Sequence, residues 1–201
     1  MCAFDAAFAS DPAAVAVVGR SPLDRTQLLC GYVERWLPPK PRRRIRRSRE
    51  QETAHIEAVI ADVSQVAARY QARVICDQHL PGVVVSEFAK RGIHATVRPW
   101  TAETRTQAAQ AVRARILTRR LELPDSPQLV AELSRLRTRY RAASATVEIP
   151  KVGDSHCDLA VALMAAVHEH DRHGVASELP PLREPQPWQA ELSAGIAERV
   201  W

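Results

Sequence analysis

Three aspartates define the chemistry open to this sequence: Asp5 in CAFDAAF, Asp77 in VICDQH and Asp158 in SHCDLAVAL. Each stands at the edge of an apolar run instead of on a solvated helix face, where an unpaired charge is costly. Carboxylates gathered in threes or fours suit Mg²⁺ and Mn²⁺, which prefer oxygen ligands and keep several waters. Two such cations about 4 Å apart, one activating water and one stabilising a leaving oxygen, hydrolyse a phosphodiester. Without metal, three acids so close repel one another. Taken singly, each also has a structural explanation. Asp158 in a helix's first turn gains from the macrodipole, Asp154 fits an N-cap, and Asp77 at a strand's end can hold a turn. Asp5 resists such a reading, since aspartate is depleted inside strands.

Other polar groups cluster near these acids or in one basic segment. His156, beside Asp158, can orient a water or contact phosphate, or simply hydrogen-bond at a helix start; His79 invites a weaker version of the same reading. His168, His170 and His173 occupy a helix's C-terminal turn, where imidazolium complements the dipole. KPRRRIRRSR, residues 40 to 49, holds Lys40, Arg42, Arg43, Arg44, Arg46, Arg47 and Arg49 without an acid. The chain's net charge is +5, and without those seven cations the remainder carries −2. Such a segment attracts polyanions through counterion release, blind to sequence and sensitive to salt; otherwise it is a solvated linker. Arg137, Arg139 and Arg141 can extend the same surface. Aromatics make up 5% of the chain and do not interleave with the basic run, so Trp36, Tyr70 and Trp100 give little support to base stacking. Duplex binding through phosphates fits better.

The elements that would position these groups follow from periodicity. Residues 2–9 and 13–19 read as strands joined at Ser10-Asp11-Pro12, and 27–37 as a third ending at Pro38-Pro39. From Ser48 to Tyr70, Ile56, Val59, Ile60, Val63, Val66, Ala67 and Tyr70 fall three and four apart, one face of a helix, with Ser48 and Gln51 as a capping box. A strand is expected at 73–77, a helix at 81–92 between Pro and Gly, and a strand at 93–99. Helices follow at 105–121 and along Leu129, Leu133, Leu136 and Tyr140. A strand at 145–149 precedes a last helix running to about His170, and residues 175–201, rich in proline, read as a tail after a domain of 1–174. The order βββ-α-β-α-β-α-α-β-α describes an α/β, ribonuclease H-like mixed sheet: three antiparallel strands, then alternating helices and strands, with helices on both faces. In that sheet the first and fourth strands are neighbours, so Asp5 and Asp77 converge and the final helix brings in Asp158.

The 201 residues, 46% hydrophobic, suffice for one well-cored domain. No apolar run is long enough to span a membrane, and the start lacks a secretory pattern. Cys2, Cys30, Cys76 and Cys157 lie far apart with no CxxC pair, which argues against a zinc ribbon or disulfide scaffold. A reducing, cytoplasmic location is the expectation.

FDAAFASDPAAVAVVGR, VICDQH with a helix after it, ELPDSPQLVAELSRL and GDSHCDLAVALMAAVH, in that order and spacing, resemble the C-terminal nuclease domain of large terminase subunits from tailed bacteriophages. The resemblance covers about residues 2 to 172. It implies that Asp5, Asp77 and Asp158 bind two Mg²⁺ or Mn²⁺ ions and cut double-stranded DNA. Many members carry a further acid where this chain has Cys157, and Asp154 is the nearby candidate to compensate. Full-length members also carry an ATPase, but this chain has no GxxxxGK[ST] loop. It is therefore expected to be an excised domain, a split-gene product or a prophage remnant. A separate terminase ATPase, a small subunit and a portal would then be its partners. Two alternatives stay open: another ribonuclease H-like nuclease, such as a junction resolvase or transposase core, and a catalytically degenerate DNA-binding remnant.

Overall fold

The computed structural model describes residues 1–6, 12–38, 49–78, 81–141, 144–150 and 157–174. An antiparallel meander opens the chain: β1 (Cys2–Asp5), β2 (Ala13–Arg20) and β3 (Leu28–Trp36). After α1 (Arg49–Arg69), β4 (Val74–Cys76) joins β1 in parallel; after α2 (Pro81–Lys90), β5 (Ala95–Val97) joins β4 in parallel. Then α3 (Ala102–Leu117) leads to β6 (Leu121–Glu122), which pairs in parallel with β3. The chain continues through α4 (Pro127–Arg135), β7 (Arg137–Arg141), β8 (Ser144–Glu148) and α5 (Asp158–Gly174). The main sheet runs β5-β4-β1-β2-β3-β6. Three antiparallel strands followed by two that extend the sheet in parallel beyond the first are the ribonuclease H-like arrangement expected from the sequence.

Strand periodicity sorts the core into two layers. On one face Ala3, Ala14, Ala16 and Ile75 pack with Val112 of α3, Leu129 of α4, and Leu163, Met164 and Val167 of α5. On the other, Phe4, Val15, Val17 and Val74 meet Val59, Ile60 and Val63 of α1 and Phe88 of α2. Helices therefore cover both faces, and the central strands read as continuous apolar runs because neither face meets water. Phe4 and Phe88 meet edge to face, with centroids 5.9 Å apart. The α2 helix closes at Gly92, whose φ of +72° is the left-handed conformation glycine adopts without strain.

Several expectations are corrected. The helix drawn through Leu136 and Tyr140 stops at Arg135: Leu136 turns to φ −59°, ψ 131°, and Tyr140 belongs to β7. The strand at 145–149 is β8, and it pairs with β7 in a separate two-stranded sheet instead of the main one. β6, two residues long, was not anticipated. α3 begins at Ala102, where Thr101 caps it by accepting from the Thr104 N–H, and ends at Leu117. α5 continues to Gly174. The Ser48 cap, residues 7–9 of the first expected strand and Ser10 and Asp11 of the turn after it lie outside the described residues.

The chain divides into two compact units, Met1–Asp171 and Arg172–Trp201. Residues 175–201, the expected tail, are outside the described residues. Among those described, no helix is long and apolar enough to cross a membrane. All four cysteines are free and buried. Burial pushes the Cys2 and Cys30 thiols up to about 12, and burial with the neighbouring Asp77 charge takes Cys76 to about 11.

Candidate active site

The register of the central strands sets two of the acids side by side. Phe4 of β1 pairs with Cys76 of β4, so the next residues, Asp5 and Asp77, stand at the same end of neighbouring parallel strands, spaced about 4.8 Å apart. Across the sheet Asp5 pairs with Ala14, and Ala14 with Arg35. On the other side the Arg98 N–H continues the ladder, donating to the Cys76 carbonyl at 2.8 Å. One row therefore reads Arg98, Asp77, Asp5, Ala14, Arg35. Ala14 packs in the layer beneath α5, and the pleat assigns its row partner Asp5 to that face. Both acids are half-buried.

Asp158 is the first residue of α5 and only 2% exposed. The residue before it, Cys157, takes a φ of +59° and is fully buried. Its thiol, raised by burial and by the charge of Glu132, turns to the Pro150 carbonyl at 3.6 Å. A capping acceptor comes from another helix. Glu132 of α4, 1% exposed, accepts from the Ala160 N–H at 3.1 Å through Oε2, while Oε1 lies 3.7 Å from Arg35 Nη1. Towards the other end of α5, Arg98 Nε donates to buried Glu169 at 2.7 Å. The two arginines at the ends of the acidic row are thus engaged by glutamates tied to the two ends of α5. From 158 to 169 a helix rises about 16 Å, close to the width of the strands between them. α5 lies across the row that carries Asp5 and Asp77.

Among the expected site residues, Asp5 and Asp77 are brought into lateral register, and Asp158 sits on the helix packed over their face. Among the described residues, no three His, Cys, Asp or Glu side chains gather as a group able to hold a metal ion. Asp154, His156, His79, Arg42, Arg43, Arg44, Arg46 and Arg47 lie outside the described residues; Arg49 opens α1. Arg137, Arg139 and Arg141 fall in β7, and Arg139 pairs with Glu148 of β8 at 2.8 Å. Trp36 donates to Asp62 at 3.1 Å, and Tyr70 donates to the Gly31 carbonyl at 2.9 Å; both are spent on tertiary contacts.

Sequence reasoning missed Glu132, Arg35, Arg98 and Glu169. One signal was available for Glu132: at three residues from Leu129 it shares the apolar face of α4, an unusual place for an acid.

No family model matches the sequence, and no curated protein matches it. Solved structures do. The large terminase nuclease from thermophilic phage G20c aligns with a TM-score of 0.57 at 18% identity, covering 83% of this chain and 78% of that one. Its magnesium-bound form aligns at 0.52 and 19%, covering 82% and 77%. The large terminase nuclease domain of Thermus phage P74-26 aligns at 0.51 and 15%, covering 83% and 77%. The likeness is one of fold.

Proposed function

We propose that this chain is a divalent-metal-dependent DNA endonuclease of the phage terminase type, cutting concatemeric double-stranded viral DNA during packaging. The observation that carries the reading is the lateral pairing of Asp5 and Asp77 at the ends of two parallel strands, beneath a helix that starts with a buried acid. The donor set fits the cation: carboxylate oxygens on adjacent strands suit Mg²⁺ or Mn²⁺, and a magnesium-bound form of the G20c nuclease shares this fold. Asp5 and Asp77 would hold the ions, with Asp158 as the third carboxylate and Asp154 as a further candidate. When bound, such ions activate water and neutralise charge on the leaving oxygen. The chain's own residues supply the rest. The sheet fixes the two acids side by side, α5 covers their face, and His156 and His79 stand near enough in sequence to assist a water or a phosphate. Arg42, Arg43, Arg44, Arg46, Arg47 and Arg49 hold duplex backbone without reading bases. A separate ATPase, small subunit and portal would complete the packaging assembly.

Incubation with supercoiled plasmid and Mn²⁺ tests this. Nicked and linear DNA are expected, and Asp5→Asn or Asp77→Asn lowers the rate by about 100-fold or more while DNA binding persists. Undiminished cutting in both variants overturns the assignment. DNA binding without any carboxylate-dependent cleavage in the wild type identifies a non-catalytic DNA-binding protein instead.

A further inference from the structure

A helix that delivers a buried acid to a reaction must have its first turn held in place, and in α5 another helix supplies part of that hold. Its cap residue, Cys157, spends its thiol on Pro150 and sits at positive φ. The first-turn amide of Ala160 is taken by Glu132, from a different helix, at 3.1 Å. Glu132 is fixed in turn by the Arg35 guanidinium 3.7 Å away, and Arg35 occupies the row position two strands from Asp5. A route of covalent, ionic and hydrogen-bonded links therefore runs from the strand row through Arg35 and Glu132 to Ala160, two residues past Asp158. Burying a carboxylate as fully as Glu132 is costly unless it is paired and hydrogen-bonded. A helix N-terminus is where that cost is best offset.

We infer that Glu132 is a positioning residue: as an external N-cap it sets the place of Asp158 relative to the Asp5–Asp77 pair. The inference rests on the nuclease reading for the role of Asp158, and it explains why a buried acid sits on the apolar face of α4. Glu132 acts through the helix: Oε2 accepts from Ala160, and Oε1 faces the Arg35 guanidinium at 3.7 Å. Outer groups that orient ligands in this way change metal affinity or activity by about 10- to 100-fold when removed.

The test has two independent readouts. Hydrogen exchange at the Ala160 amide, measured without metal, should accelerate about 10-fold or more in Glu132→Ala and stay protected in Glu132→Gln, whose amide oxygen still accepts. The Mn²⁺ concentration for half-saturation, followed by electron paramagnetic resonance, should rise about 10-fold in Glu132→Ala. Its kcat on plasmid should fall with KM for DNA unchanged, and Glu132→Gln should recover most of both. Val63→Ala, on the opposite face of the sheet, serves as a stability control and should move only the melting temperature. If Glu132→Ala does not accumulate as folded protein, Arg35→Met carries the same expectation in weaker form. An unchanged Ala160 exchange rate overturns the inference, and so does lost protection with unaltered Mn²⁺ half-saturation. Absence of Asp158-dependent Mn²⁺ binding in the wild type overturns the nuclease reading itself, a result the exchange experiment cannot mimic.

Discussion

Asp171 receives two hydrogen bonds from Arg115, at 2.6 and 3.2 Å, and has His170 Nδ1 3.5 Å away. Burial pushes its carboxyl up, but His170 and Arg115 together outweigh that and hold it below its ordinary value of 3.8. The two guanidinium hydrogen bonds are charge-assisted, whereas the imidazole nitrogen at 3.5 Å is beyond ordinary hydrogen-bond distance. A carboxyl held low when folded adds stability above its unfolded value and loses it as pH falls through the folded one. Asp171→Asn should therefore lower the melting temperature at pH 7, and the difference should begin to shrink as pH drops below about 3.8 and close only below the lower folded value. The pair is partly exposed, so its worth is about 1 kcal/mol or less after screening. Melting curves across pH check this. A gap that persists in strong acid would assign the loss to packing.

α5 is the element on which the upper layer depends. Leu163, Met164 and Val167 are fully buried against the sheet, whereas Leu117 at the end of α3 is 72% exposed. Leu163→Ala should cost about 2–5 kcal/mol in urea denaturation, and Leu117→Ala within about 0.5 kcal/mol of nothing. Helices of this kind were legible in the sequence, because spacing of three and four survives without knowledge of partners. Val59, Ile60 and Val63 of α1 and the apolar face of α5 are buried where periodicity put them. Strand pairing was legible only in order. The register that sets Asp77 beside Asp5, and Arg35 two strands away, is a tertiary fact that no local pattern encodes. RTRYR continued the leucine spacing of α4 on paper, yet β8 offered it a ladder and the strand won. Asp5, Asp77 and Asp158 could be named because acids stand out in apolar runs. Glu132 and Glu169 were hidden among ordinary helical residues until the fold buried them.

At the scale of the whole molecule, charge is divided between one segment and everything else. The net charge of +5 falls to −2 without the seven cations of residues 40–49, so affinity for a polyanion should rest on that segment. Replacing Arg42, Arg43, Arg44 and Arg46 with alanine should weaken duplex binding in fluorescence anisotropy. The salt dependence of log K should flatten by up to about 0.9 per phosphate contact removed. Mn²⁺ binding should not change; a salt slope equal to that of the wild type would place the DNA surface elsewhere. The position of α5 in the chain also has a consequence for biosynthesis. A polypeptide emerging from the ribosome presents Asp5 and Asp77 long before residues 158–174 exist to cover them. Until that last helix docks, a nascent copy has neither its third acid nor a closed upper layer. On the proposed nuclease reading, cleavage would therefore be withheld until the end of translation.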